Sequence, residues 1–249
     1  MFVLPVNRDR APDHSQPVTL ALLVLNSGVW AILAFAGMNA DAVQEFGLRP
    51  AHWTLLTAFT HMFLHAGFWH VAGNMYFLWM FARKLEERLG SALFFLTYLV
   101  SGVAAAGAHT LFSLGSNVPL VGASGAISGV AGMYFVLFPR SPFDLQIYLG
   151  WWRVKSVAAQ TRGAVGTWIG EQFLLGLITS TLHSAGIAFW AHVGGFACGF
   201  LMAAIIASRA PAIEQQAILH PEPLTEGEKD EIQADRVEQP SELTTLKLS

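Results

Sequence analysis

A serine and a histidine in two glycine-rich segments have the side-chain types that nucleophilic catalysis needs. Ser124 lies in the segment Gly122-Ala-Ser-Gly125, and His192 lies three residues before Gly195. A serine hydroxyl is a weak nucleophile until a general base takes its proton, and histidine is the most frequent base. The transfer needs about 2.6–3.2 Å between the two polar atoms. The pair is therefore a candidate catalytic dyad, provided that the fold brings the two segments together.

A histidine and an asparagine one helical turn apart indicate a second element of the same chemistry. His70 and Asn74 are four residues apart and so share one face of a helix. Imidazole and amide groups donate hydrogen bonds to the oxyanion that forms during acyl transfer. No aspartate occurs in the apolar segments that carry these four polar residues, so the sequence predicts a Ser-His dyad rather than a Ser-His-Asp triad.

These residues belong to a chain whose composition is typical of an integral membrane protein. Of its 249 residues, 53% are hydrophobic and only 12% are charged, whereas about 25% of the residues in a soluble domain are charged. Its mean hydropathy is +0.47. The net charge is −3, and the sequence has no cluster of basic residues that could neutralise phosphates. Both observations argue against a nucleic-acid partner. The single cysteine, Cys198, excludes an internal disulfide.

Long apolar segments predict an all-α, polytopic bundle of six transmembrane helices. The predicted spans are residues 18–38, 66–82, 92–114, 118–138, 164–182 and 185–207. No small-residue cleavage site follows the first span, so we expect a retained anchor rather than a signal peptide. Glu171 lies inside the fifth span, about seven residues from its start, and the sequence indicates no partner for it.

Lysine and arginine fall almost entirely on one side of the predicted bundle. With the N-terminus inside, the cytoplasmic segments hold thirteen of the 14 basic residues, and only Arg49 lies outside. Because basic residues mark cytoplasmic loops, we expect both termini to be cytoplasmic, in a bacterial inner (cell) membrane. Residues 1–17 are then a cytoplasmic segment, residues 39–65 an amphipathic outer loop, and residues 208–249 a disordered acidic tail.

This topology brings the four polar residues to one side of the membrane. His70 and Asn74 lie in the first two turns of the second span, Ser124 about six residues into the fourth, and His192 about seven residues into the sixth. At 1.5 Å per residue, the last two lie roughly 9–11 Å below the outer helix ends. Small residues at helical spacing predict close helix packing. These residues are Gly122, Gly125 and Gly129 on the fourth span, and Gly195 and Gly199 on the sixth.

Three segments resemble the motifs of the rhomboid family of intramembrane serine proteases. They are His65-Ala-Gly-Phe-Trp-His70-Val-Ala-Gly-Asn74, Gly122-Ala-Ser124-Gly125 and Ala191-His192-Val-Gly-Gly195-Phe-Ala-Cys-Gly199. The resemblance covers about residues 47–207, with the motifs in the family's order. It implies a six-helix protease that cleaves transmembrane protein substrates in the lipid bilayer, without a metal or another cofactor. It also implies Ser124 as nucleophile, His192 as general base, and His70 with Asn74 as oxyanion stabilisers.

One position departs from the family's pattern. The family's first loop often has a Trp-Arg pair just before its Thr…His stretch, and this chain has Leu56-Thr57 there. Residues 39–65 therefore need another means of attachment to the helices. The departure leaves the four catalytic positions untouched.

Three alternatives remain open beside a protease. A transporter or channel would line a polar path through the whole bilayer, yet the cytoplasmic halves of the second, fourth and sixth spans are nearly all apolar. A catalytically inactive relative that binds membrane clients is disfavoured, because both Ser124 and His192 are present. A metal site is suggested by the i, i+4 spacing of His61 and His65, but no glutamate completes an H-E-x-x-H motif.

Overall fold

The computed structural model describes residues 2–8, 12, 14–182 and 188–209 of the chain, and within them the fold is predominantly helical. The helices are α1 (Pro17–Phe35), α2 (Asn39–Phe46), α3 (Leu55–Thr60), α4 (Phe68–Leu89), α5 (Ser91–Phe112), α6 (Ser124–Leu137), α7 (Thr161–Leu182) and α8 (Phe189–Ser208). The strands are β1 (Phe2–Asn7), β2 (Pro142–Leu149) and β3 (Trp152–Gln160). Met1–Ala204 is one compact unit and contains every candidate site residue, whereas Ile205 starts a second unit.

Within the described residues, three helices are long and apolar enough to cross a membrane, namely α1, α5 and α8. Helix α6 is also apolar but has only 14 residues. On α1, side chains such as Val24 and Ile32 are exposed, as expected for a helix that faces lipid. The chain is therefore an integral membrane protein, and the number of six spans stays a prediction. The predicted acidic tail lies outside the described residues beyond Arg209.

A three-stranded antiparallel sheet, in the order β1-β2-β3, corrects the all-α prediction. Phe2 lies opposite Tyr148 and Asn7 opposite Phe143, so the N-terminal segment pairs with the segment that follows α6. The apolar residues of these strands are interspersed with Pro, Asp, Arg and Lys, a composition also typical of a cytoplasmic loop, and the sequence therefore predicted loops. The pairing requires both segments to lie at the same end of the helices. The requirement is met if the chain crosses the membrane an even number of times between β1 and β2.

Helix α6 begins at Ser124, six residues later than the predicted fourth span. The preceding segment is extended instead, and Leu120 exchanges two backbone hydrogen bonds of 2.8 and 3.0 Å with Leu48. Pro119 favours this conformation, because the residue before a proline is disfavoured in helical geometry. The predicted depth of Ser124, which was counted from a helix start at residue 118, is therefore wrong. For the sixth span, residues 183–187 lie outside the described part, and α8 is described from Phe189.

The carboxylate of Glu86 joins the start of α1 to the end of α4. Glu86 is only 2% exposed. It accepts hydrogen bonds from the backbone N–H groups of Val18 and Thr19 at 2.9 and 2.7 Å, and from the hydroxyls of Thr19 and Ser91 at 2.7 Å each. The first N–H groups of a helix lack intrahelical acceptors, and a negative charge near them is favourable. The buried carboxylate is thus fully hydrogen-bonded and holds α1 against α4.

Candidate active site

Helices α6 and α8 pack backbone to backbone along their glycines. Gly195 lies against the carbonyl oxygen of Gly125, and Gly199 lies against that of Gly129. A Cβ atom at either α8 position would collide with those oxygens. Small residues at such spacing let membrane helices approach closely. Gly122 differs from the other four, because it lies in the turn before α6 with φ +119°, a conformation that L side chains rarely adopt.

This close packing places the candidate nucleophile beside the candidate base. Ser124 is the first residue of α6, and His192 is the fourth residue of α8. The distance from Ser124 Oγ to His192 Nε2 is 3.0 Å. That distance lies within the range for direct proton transfer, which is about 2.6–3.2 Å.

A glutamine that the sequence analysis missed contacts the other side of the imidazole. Gln172 of α7 is 8% exposed, and its Oε1 lies 2.7 Å from His192 Nδ1. One turn earlier on α7, the ring of Trp168 lies 5.9 Å from the imidazole, centroid to centroid. A polar residue inside an apolar span was the available signal. Gln172 carries this signal as much as its neighbour Glu171 does, because both lie inside the fifth predicted span.

His70 and Asn74 converge on the turn that precedes Ser124. A Cβ atom built on Gly122 would lie 2.8 Å from His70 Nε2 and 3.8 Å from Asn74 Nδ2. The backbone N–H of Ala66 donates to His70 Nδ1 at 3.4 Å, so the neutral ring carries its proton on Nε2. Asn74 Nδ2 uses one N–H on the carbonyl of His70, at 2.9 Å, and has a second N–H. Two side-chain donors therefore lie close to the candidate nucleophile.

The backbone N–H of Ser124 adds a third donor at this place. The first N–H groups of a helix have no acceptor within the helix, and together they carry the positive end of its dipole. Helix α6 starts at Ser124, and its first intrahelical bond runs from the N–H of Ile127 to the carbonyl of Ala123. A negative charge that develops beside Ser124 would therefore meet the N-terminus of α6.

Residues 39–65 are attached to the turn before α6 by two hydrogen bonds, one to backbone and one to a side chain, instead of by a Trp-Arg pair. Gly122 N–H donates to the carbonyl of His61 at 2.9 Å, and the N–H of Ala123 donates to His65 Nε2 at 3.5 Å. Burial lowers the pKa of His61 to about 4. Burial and, to a smaller extent, the nearby His70 lower the pKa of His65 to about 4, so its ring is neutral and able to accept a bond. Thr57, at the departing position, forms a capping box with Thr54 that starts α3.

The two histidines of the metal alternative have separate partners. His61 Nδ1 lies 3.1 Å from the carbonyl of Thr57, whereas His65 contacts Ala123. In the part of the chain that the structure describes, no three or more His, Cys, Asp or Glu residues are grouped so that they could hold a metal ion.

A cavity of about 660 Å³ opens beside the candidate dyad, and its lining is mostly apolar. Residues from α4, α6, α7, β1, β2 and the start of α8 line it. They include Val3, Pro5, Trp69, His70, Gly73, Asn74, Phe77, Phe81, Ser124, Ile127, Ser128, Ala131, Phe143, Leu145, Trp168, Glu171 and His192. Glu171, which had no assigned surroundings in the sequence, is thus an exposed carboxylate on the wall of this cavity.

The fold and the site define a helical integral membrane protein with a serine and a histidine in hydrogen-bond contact beside a large apolar cavity. The model of the Rhomboid domain matches residues 52–209. The chain is 28% identical over 196 residues to the YdcA rhomboid protein of Bacillus subtilis (strain 168), covering 75% of this chain and 86% of that one. It is 31% identical over 232 residues to the mitochondrial Rhomboid protein 1 of Saccharomyces cerevisiae, covering 82% and 59%.

A third relative, the rhomboid protease GlpG of Photorhabdus laumondii, is 29% identical over 127 residues, which cover 51% of this chain and 44% of the relative. The chain thus spans most of one relative and about half of the other two. The domain match extends over more than half of this chain. The chain belongs to the rhomboid family, as the sequence resemblance predicted.

Proposed function

We propose that this protein is an intramembrane serine endopeptidase that cleaves transmembrane protein substrates with Ser124 and His192. The observation that carries the proposal is the 3.0 Å distance between Ser124 Oγ and His192 Nε2, beside a cavity large enough for a peptide segment. Membership of the rhomboid family, in which relatives are named proteases, supports the same activity.

The proposed reaction is acyl transfer to serine followed by hydrolysis. His192 Nε2 takes the proton from Ser124 Oγ as the oxygen attacks the scissile carbonyl carbon. The oxyanion accepts hydrogen bonds from His70 Nε2–H, Asn74 Nδ2–H and the backbone N–H of Ser124. His192 then gives its proton to the leaving amine as the C–N bond breaks. A water molecule, deprotonated by the same imidazole, then attacks the carbonyl carbon of the acyl-enzyme. The bond from this carbon to Ser124 Oγ breaks, and His192 returns the proton to Oγ.

The site is proposed to open towards the outer face of the membrane. Ser124 is at the start of α6, whereas β2 follows the other end of that helix after four residues. The sheet joins the N-terminal segment to the basic segment 139–163, and basic segments favour the cytoplasm. This arrangement supports a cytoplasmic N-terminus and a site at the outer face.

The proposed substrate segment is locally unwound. A helical peptide bond is shielded by its own hydrogen bonds, so helix-destabilising residues should assist cleavage, and glycine costs about 1 kcal/mol relative to alanine in a helix. The scissile bond is expected in the outer part of the substrate's span or just beyond it. Residue P1 is expected to be small, because Gly122 and Ala123 hold the backbone close to the nucleophile.

A fluorophosphonate probe and a transmembrane reporter together test this function. We expect purified protein in detergent to be labelled and to cleave the reporter in liposomes, whereas Ser124→Ala protein of normal thermal stability does neither. Cleavage products mapped by mass spectrometry should cluster near the outer end of the reporter span. Turnover by Ser124→Ala would refute the serine mechanism, and cuts near the cytoplasmic end would refute the proposed orientation.

A further inference from the structure

We infer that Gln172 is a positioning residue that holds His192 in the tautomer and orientation required of a general base. This inference rests on the proposed serine-protease function. It extends the two-residue dyad predicted from the sequence to a Ser124–His192–Gln172 triad. The third member is an uncharged amide that orients the imidazole and transfers no proton.

Both ring nitrogens of His192 are engaged, each by a different helix. Nε2 lies 3.0 Å from Ser124 Oγ of α6, and Nδ1 lies 2.7 Å from Gln172 Oε1 of α7. The contact joins two residues twenty positions apart across the α7–α8 connection. Rotation of the imidazole by half a turn would put carbon atoms at both positions and break both hydrogen bonds. Trp168, one turn from Gln172, further restricts the ring by lying 5.9 Å from its centroid.

The chemistry of the amide oxygen selects the tautomer. A neutral imidazole has one N–H donor and one bare nitrogen, and the partner of one nitrogen decides the role of the other. A carbonyl-type oxygen only accepts, so Gln172 Oε1 requires a proton on Nδ1. Nε2 is then bare and faces the hydroxyl proton of Ser124. The opposite tautomer would direct an N–H at Ser124 and leave no base.

Gln172 and its neighbour Glu171 point in different directions from α7. Gln172 is buried against His192, whereas Glu171 is exposed on the cavity wall. Consecutive residues point about 100° apart on a helix, so only one of them faces the imidazole. An ionised carboxylate is costly to bury in a membrane protein, and the amide supplies the same acceptor without that charge. The amide therefore orients the base but gives no counter-charge to the imidazolium.

Three variants separate a positioning role from packing. Gln172→Leu removes the acceptor, and we expect kcat for a transmembrane reporter in liposomes to fall about 100-fold, because general-base catalysis contributes roughly 10²–10⁴-fold. The KM should change by less than about twofold, since Gln172 is not among the residues that line the cavity. The matched control is Thr179→Val, also a polar-to-apolar change on α7, whose hydroxyl bonds only to the carbonyls of its own helix. It should leave kcat unchanged.

Gln172→Glu keeps the acceptor and adds a charge. We expect kcat to stay within about tenfold of the wild type at its optimum, since orientation is retained. The acid limb of the pH–rate profile should move to higher pH, because a carboxylate partner favours the imidazolium form. Because glutamate has nearly the same shape as glutamine, a packing role also predicts the recovery of kcat, but it predicts no displacement of the acid limb.

A spectroscopic measurement tests the tautomer itself. In ¹⁵N-histidine-labelled protein, the His192 signals are assigned by their absence from His192→Ala, and we expect a protonated Nδ1 and a bare Nε2. Wild-type kcat in Gln172→Leu, an unmoved pH profile in Gln172→Glu, or a protonated Nε2 would each overturn the inference. Should Gln172→Leu not fold, the glutamate variant and the spectrum decide. Ser124→Ala, measured in parallel, separates the two levels: if it is inactive while Gln172→Leu is fully active, only the role of Gln172 fails.

Discussion

The two sides of the candidate site differ in how tightly they are built. On one side, α6 and α8 meet through glycines, and Gly199 lies against the backbone oxygen of Gly129. On the other side, α4 and α7 line the cavity of about 660 Å³, and Gly73 of α4 has no neighbouring atom within 4 Å of where a Cβ would be. We call these the α6–α8 contact and the α4–α7 cavity. The contact holds Ser124 Oγ 3.0 Å from His192 Nε2, and the cavity leaves open space beside both residues.

The same residue type serves opposite purposes in these two regions. Glycine is needed at the α6–α8 contact because any side chain would separate Ser124 from His192. At Gly73, glycine leaves space beside His70 and Asn74 without bringing two helices together. Catalytic geometry is expected to depend strongly on the first set and weakly on the second, and four predictions test this difference.

The largest effect is expected at the reacting atoms of the α6–α8 contact. Ser124→Ala and His192→Ala should each lower kcat to background, a loss on the order of 10⁶-fold where such units have been dissected in other proteases. Because the two groups act together, the double variant should be scarcely slower than either single variant. Reporter cleavage in liposomes measures all three, and losses that multiply would show that the residues act independently.

A smaller effect is expected for the donors on the α4 side. Asn74→Ala and His70→Ala should each lower kcat by about 10²–10³-fold, or roughly 2.7–4 kcal/mol, which is the cost of one lost oxyanion donor elsewhere. The reduction should fall on kcat more than on KM, because the hydrogen bonds form to the transition state. Unchanged kcat in both variants would restrict these side chains to packing.

Adding one methyl group at the α6–α8 contact and one at the α4–α7 cavity should change stability in different ways. Gly199→Ala should destabilise the protein by about 1–3 kcal/mol, since overpacking costs this much and the obstacle is backbone. Gly73→Ala should leave stability unchanged or raise it by about 0.5–1 kcal/mol, the usual helix gain over glycine. Thermal or denaturant unfolding in detergent measures both. Equal effects at the two positions would remove the distinction between the contact and the cavity.

The smallest effect is expected at Ser128, which lines the cavity one turn after the nucleophile. Its hydroxyl donates to the carbonyl of Ser124 in its own helix, at 2.7 Å, and does not contact His192. Ser128→Ala should keep kcat within about threefold of the wild type, because such backbone bonds in a helix contribute little. A loss comparable to that of Asn74→Ala would place Ser128 among the residues that act on the substrate.

The amino-acid sequence was sufficient to predict the class of the protein and to indicate four candidate site residues. Long apolar segments without charges predict membrane helices, because in lipid the backbone N–H and C=O groups must form their hydrogen bonds within the helix. Ser124, His192, His70 and Asn74 were identifiable because polar residues are rare inside such segments. Family membership followed from motifs that lie within single segments. All of these properties are local or compositional, and a sequence carries them directly.

Three features could not be predicted from the sequence: the start of α6 at Ser124, the sheet, and the contact of Gln172 with His192. The extended segment before Ser124 depends on hydrogen bonds between Leu120 and Leu48, which are far apart in the chain. The pairing of β1 with β2 joins segments that are separated in the chain by the six helices α1 to α6. Likewise, whether Gln172 or Glu171 faces the imidazole depends on the rotation of α7 against α8. Such choices are settled by packing between distant elements, which no single stretch of sequence records.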